Sequence, residues 1–211
     1  MGSTFFRSVA FRRRALGLVV IGGLLAGGGA VPGHAASGSA HDFVQHFGDQ
    51  LVAIINSKQS SSAKKAALEP LIQQNIDVDS IGRYCLGRYW KVATPDERAQ
   101  FLQLFHKVMI NAVSERMVGD YQGVTFTIGN TISQDGDELV DGVINRPGNP
   151  PANVQLEIST QSGSPKVVDL KGEGASLRLT QRGDYASYIA QNGGQVSALI
   201  KALQKQVSRN D

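Results

Sequence analysis

The sequence predicts an α+β fold, with helices from both ends of the chain packed on one face of a four-stranded antiparallel meander. Three observations carry this. Apolar residues recur at helical spacing from Phe43 to Val113. The period then changes to two, most clearly in VTFTI at 124–128. From Gln181 to Val207 the helical spacing returns. Helices and strands are thus segregated along the chain, which argues against a dinucleotide-binding arrangement of alternating strands and helices.

Each element has its own signal. A first helix over 42–57 carries Phe43, Phe47, Leu51, Ile54 and Ile55, and a second over 61–74 carries Ala67, Leu68, Leu71 and Ile72. Asp77, Asp79 and Ser80 are capping residues for a short third helix ending near Gly87. The fourth helix has the strongest signature. Thr94 stands at the N-cap, Glu97 three places on completes a capping box, and Pro95 takes the first helical position. Phe101, Leu102, Phe105, Val108, Met109, Ala112 and Val113 follow as one apolar stripe, and Gly119 ends it. Strands are expected at VTFTI, at ELVDGVINR (138–146), at NVQLEIS (153–159) and at KVVDL (166–170). RPGNPP (146–151) forms a turn or longer loop after the second strand. Helices over 181–191 and 195–207 close the chain, and there is no internal repeat.

The first 35 residues read as a secretory signal peptide. Arg7, Arg12, Arg13 and Arg14 make a basic start, Ala15 to Val31 is uncharged and apolar, and PGHAASGSA offers a small-residue exit after Ala35. A membrane anchor is the competing reading, but the run is short for a bilayer span and thinned by glycines. The arginine pair hints at twin-arginine export, although RRRAL lacks the fuller pattern. With no Cys near the cleavage region, a lipoprotein anchor is excluded. The chain has 21 Lys plus Arg against 18 Asp plus Glu; without the four leader arginines 17 basic residues face 18 acidic ones, a net charge of −1 instead of +3. The basic balance therefore belongs to the leader, and nucleic-acid binding loses its electrostatic footprint. The remaining residues, 36–211, suffice for one domain with a sizeable core. Cys85 is the single cysteine, so no intramolecular disulfide forms, and its apolar neighbours suggest a buried, inert thiol.

Catalytic and metal signatures are absent. Gly172-Glu173-Gly174 lacks the Walker lysine, has Leu177 where a Rossmann loop needs its third glycine, and would set Glu173 against a phosphate. Ser176 follows Gly174 as in a nucleophile elbow, but Arg178 stands where the second glycine belongs. This stretch reads instead as a corner over 171–175, permitted by Gly172 and Gly174 and tied by Glu173 and Ser176. His41, His46 and His106 lack zinc-ligand spacing. Asp135, Asp137, Glu138 and Asp141 lack that of a calcium loop and read as a solvated turn and strand start. An enzyme would need an acid–base pair in a cavity, with Asp141 or Asp169 as first suspects. The many apolar residues either fill a core or line a pocket; pattern alone leaves both open.

Five stretches, in this order, carry a family resemblance: LGRYW (86–90), TPDERAQF (94–101), YQGVTFTI (121–128), VVDLKGEGASL (167–177) and YIAQNGGQVSALIKALQ (188–204). Together they resemble the MlaC family of periplasmic phospholipid-transport proteins, also called toluene-tolerance proteins, from about Phe43 to Gln206. Many members carry an aromatic residue where this chain has Val168, and a Trp where it has GSPK (163–166). LRLTQRGDY (177–185) is similar to the hopanoid-associated branch of the family. The resemblance implies an apolar cleft between a curved sheet and the helices, and a shuttle rather than an enzyme, with no catalytic residue, metal or cofactor. It implies a monomer that carries a phospholipid or related membrane lipid, such as a hopanoid, and keeps outer-membrane lipid asymmetry. Its partners would be an inner-membrane ABC transporter complex and an outer-membrane lipoprotein complex. Pattern and resemblance together suggest Val124, Phe126, Ile128, Val143, Val154, Leu156, Ile158, Val168 and Leu170 as wall residues from the strands. From the helices they suggest Phe105, Val108, Met109 and Ile189. Trp90 and Tyr84 read as packing anchors. Arg88, Arg146 and Arg182 either steer a phosphate head group or dock a partner, or are ordinary surface charge.

Overall fold

The structure, a computed structural model, describes residues 34–119 and 123–209. The leader over 1–35 therefore lies outside the described residues, apart from His34 and Ala35, which begin the first helix. In chain order the elements are α1 (His34–Asn56), α2 (Ser61–Asn75), α3 (Val78–Leu86), α4 (Tyr89–Val92) and α5 (Pro95–Gly119). Strands β1 (Thr125–Gln134), β2 (Asp137–Asn145), β3 (Ala152–Ser159), β4 (Lys166–Gly172) and β5 (Ala175–Ser176) follow, then α6 (Leu177–Gln191) and α7 (Val196–Val207). The fold is α+β, and the sheet is an antiparallel meander in the order β1-β2-β3-β4-β5. Among the described residues no helix is long and apolar enough to cross a membrane.

Local chemistry explains most boundaries. At α5 the Thr94 amide donates to Glu97 Oε2 at 2.9 Å, and the Glu97 amide donates to Thr94 Oγ1 at 3.2 Å. This is the reciprocal capping box, with Pro95 opening the helix. Asp77 and Ser60 cap α3 and α2 in the same sense. Asp135 and Gly136 take positive φ (54° and 90°), the backbone of a two-residue hairpin turn whose twist matches its strands. Glu173 and Gly174 repeat this device (47° and 83°) and create β5, the fifth strand that pattern reading missed because it has only two residues. The corner is thus shaped by backbone at Glu173, not by a hydrogen bond from its exposed side chain, and Gly172 is an ordinary strand residue. Ser176 does the capping: its hydroxyl accepts from the Leu179 amide at 3.0 Å and starts α6.

Two irregularities set which side chains share a face. In β1, Ile128 pairs with Gly142 and Thr131 with Val140, so one extra residue bulges out of β1. In β4, Asp169 pairs with Glu157 and Val167 with Ile158, leaving Val168 as the extra residue. Beyond each bulge the in–out alternation is inverted.

Apolar packing divides into three groups. Phe101, Phe105 and Val108 of α5 meet Tyr185 and Ile189 of α6, Leu199 and Leu203 of α7, and Cys85 and Leu86 of α3. Val44 and Phe47 of α1 lie on the sheet against Val140, Leu156, Ile158 and Val167. Leu68 and Ile72 of α2 pack with Ile110 of α5. One long helix, α5, therefore serves two clusters from different faces.

Candidate functional site

Helix α1 faces the sheet with Val44, Phe47, Gly48, Leu51, Val52 and Ile55, a stripe at three- and four-residue spacing. Opposite it stand Val124, Phe126, Ile144, Val154, Leu156, Val167 and Leu170. Ile72, Ile76 and Val113 complete the lining. Cross-strand register aligns the wall: Phe126 faces Ile144, Leu156 lies between Val140 and Leu170, and Gly142 pairs with Val154. The void, counted with its open mouth, measures about 910 Å³. None of the lining residues carries a polar side chain. Water inside would lack hydrogen-bond partners, whereas hydrocarbon needs none.

The far end of α1 is pinned. Asn56 donates from Nδ2 to the Val124 carbonyl at 2.8 Å and accepts from the Val124 amide at 3.1 Å, copying a strand pairing. Buried Lys64 donates to the Ile55 carbonyl at 2.6 Å, tying α2 to the last turn of α1. At the α2–α3 junction Ile76 bridges to Val167, and the Asp77 amide donates to the Val167 carbonyl at 3.0 Å.

Of the residues singled out from sequence, Val124, Phe126, Val154, Leu156 and Leu170 line this space. The others lie elsewhere, for identifiable reasons. Val143 pairs with Thr127 and Asn153, so it points to the opposite face of the sheet, and its neighbour Ile144 is the lining residue. Val168 is the bulged residue of β4; the bulge gives its place in the wall to Val167. Ile158 is sealed in the α1–sheet core at 2% exposure, and Ile128 packs at the margin of that core. Phe105, Val108 and Ile189 fill the helical core, with Met109 packed against it. The α1 wall was missed, although its apolar residues, Val44 and Val52 besides Phe43, Phe47, Leu51, Ile54 and Ile55, spread wider than one packed face needs.

Polar chemistry lies outside the cleft. Asp141 accepts from Gln155 Nε2 at 2.8 Å. Asp169, 3% exposed, accepts from the amides of Leu170 (2.9 Å) and Arg178 (3.1 Å) and sits 3.7 Å from the Arg178 guanidinium. Arg178 also pairs with Glu157. Tyr84 stacks with both Arg178 and Arg182, and Trp90 with Arg83 and Arg98. Arg88 stacks on Tyr89 and donates to its hydroxyl. Burial pushes the Cys85 thiol up to about 12, with Asp169 adding to the shift and Arg178 and Arg182 opposing it; this thiol is not a nucleophile at neutral pH. His106 bonds Asp79 at 2.8 Å at the surface. No cluster able to hold a metal occurs among the described residues.

The fold and the order of motifs agree with a known family. The MlaC protein family matches residues 45–205, most of the chain. The chain belongs to the MlaC family. A solved structure of similar fold is the phospholipid-binding protein from Ralstonia solanacearum, in complex with a phospholipid. The TM-score is 0.72 at 20% sequence identity, covering 82% of this chain and 98% of that one. Within this MlaC-family chain, then, the fold is shared with that protein while most side chains differ.

Glu138 shares the cleft-facing side of β2 with Val140 and Gly142, yet neither of its carboxylate oxygens has a hydrogen-bond partner. Burial raises its pKa above the ordinary 4.5. The folded chain therefore holds this proton more tightly than the unfolded chain, and stability is lost as pH rises from below 4.5 through the raised value. Glu138→Gln is expected to melt at a higher temperature than the parent at pH 7, with the difference disappearing as pH falls below 4.5. Thermal melts of both proteins across pH check this.

Proposed function

We propose that the chain is a periplasmic phospholipid carrier that holds acyl tails in the α1–sheet cleft and moves lipid between membranes without chemistry. On this reading its leader exports it. Its partners are an inner-membrane ABC transporter complex and an outer-membrane lipoprotein complex. The observation that carries it is a wholly apolar cleft without a titratable lining residue, in a chain of the MlaC family. The phospholipid held by the Ralstonia protein of the same fold supports the choice of ligand.

The energetics suit a carrier. Two acyl tails expose roughly 30 methylenes, and at about 0.8 kcal/mol each their hydration costs on the order of 20 kcal/mol. A cleft that encloses them lowers the cost of crossing water, while a head group left at the mouth keeps release possible. Asp141 and Asp169, the candidates for an acid–base pair, stand outside the cleft, so nothing in it favours an enzyme.

Native mass spectrometry of protein purified from the periplasm, followed by organic extraction, is expected to show a co-purified glycerophospholipid. A hopanoid mass instead would assign the chain to the other lipid class. Protein that is repeatedly lipid-free and takes none from vesicles would overturn the carrier reading.

A further inference from the structure

Two glycines of regular elements, Gly48 in α1 and Gly142 in β2, have one neighbour in common. A Cβ at Gly48 would lie 2.7 Å from Phe126 Cδ1, and one at Gly142 would lie 2.3 Å from Phe126 Cε2 and 2.6 Å from Cζ. The two glycines thus grip opposite edges of one ring. Neither has the left-handed backbone that would call for glycine. Glycine inside a helix costs about 1 kcal/mol relative to alanine, and inside a strand it forfeits packing. The Phe126 ring is the steric reason the structure offers for both.

That slot crosses the cleft. Phe126 rises from β1, lies over Gly142 of β2 and touches α1, the opposite wall. The ring is only half-buried, unlike Val140 and Ile158 on the same face, which are sealed. It borders the void and stands between walls that acyl tails must separate. The end of α1 beyond it is pinned to the sheet through Asn56, and Val44 and Phe47 also rest on the sheet; ring and slot add a latch that spans both walls.

We propose that Phe126 is a gate residue: its ring, latched between Gly48 and Gly142, closes the cleft and must leave the slot before diacyl lipid can enter. This rests on the carrier reading above. A gate open about a tenth of the time weakens capture about tenfold. Phe126→Ala removes the latch. Gly142→Ala expels the ring from its slot and so unlatches the gate while keeping the ring.

The test uses vesicles of equal parts dioleoyl phosphatidylethanolamine and dioleoyl phosphatidylglycerol, with lipid phosphorus bound per protein followed over time. Capture by Phe126→Ala is expected to rise about tenfold over the parent. Gly142→Ala is expected to capture more than the parent, and the double variant to behave like Phe126→Ala, because the new methyl group then has no ring to displace. If Gly142→Ala does not fold, Gly48→Ala makes the same test from the helix side. Capture by Phe126→Ala equal to or below that of the parent would overturn the gate, as would capture by Gly142→Ala equal to or below that of the parent. A parent protein that captures no lipid would overturn the carrier reading itself.

Discussion

Leu156→Asp is expected to abolish lipid uptake from vesicles while leaving the helical circular dichroism largely intact. Leu156 lines the cleft at the centre of the row Val140, Leu156, Leu170. A carboxylate there has no cationic or donor side chain among the lining residues to pair with. Holding it against acyl tails costs several kcal/mol, and about 4 kcal/mol already weakens binding roughly a thousandfold. In the empty protein the carboxylate can take water from the mouth, so the fold is spared much of that penalty. Leu156→Met, which keeps the volume and the apolar surface, is expected to retain uptake. Global unfolding of Leu156→Asp would make Leu156 a core residue first and a cleft residue second.

The largest loss of stability is expected from Asp169→Ala. This carboxylate is buried and accepts two backbone amides, Leu170 and Arg178, that bracket the β4–β5 hairpin. Its second oxygen has no hydrogen bond and faces the guanidinium of Arg178. Alanine would leave the amides of Leu170 and Arg178 without this acceptor and take away one of the two carboxylates beside Arg178, which keeps Glu157, at a cost of about 3 kcal/mol. Asp169→Asn keeps an amide acceptor and should cost less. Urea unfolding of the three proteins measures the order. The Cys85 thiol supplies an independent reading. Burial dominates its raised pKa and Asp169 adds to it, so Asp169→Asn should lower that pKa, seen as faster thiol alkylation at alkaline pH. Equal stability of the three proteins would show that the hairpin and the start of α6 hold without this carboxylate.

Reading faces from sequence worked where the chain is regular. The capping box of Thr94 and Glu97 is visible in four letters because both partners lie in one helical turn. On β3 the alternation of Val154 and Leu156 placed both in the wall, since no bulge separates them. On β4 the same rule chose Val168 with Leu170, and the bulge at Val168 made Val167 the true neighbour of Leu170. A bulge is a property of pairing between two strands, so one strand's letters do not reveal it. On β2 the choice of Val143 over Ile144 was a choice of face, and only the partners Thr127 and Asn153 decide it. On α5 Phe105 and Val113 belonged to one apolar stripe in sequence but serve different spaces, the helical core and the cleft.

By itself the sequence determined the order of the longer helices and strands, without the short α4 and β5, and with it the meander, the capped start of α5 and the family. These rest on local periodicity, on side chains that bond within a turn, and on motifs read in order. Tertiary structure decided which apolar residues became core and which became cleft. Burial of hydrocarbon is non-directional, so a valine in a sealed core and one beside a void have the same pattern. The difference lies in what the opposite element leaves unfilled. Here α1 approaches the sheet through Gly48, a ring from β1 lies over Gly142, and an apolar space beside them is left unfilled.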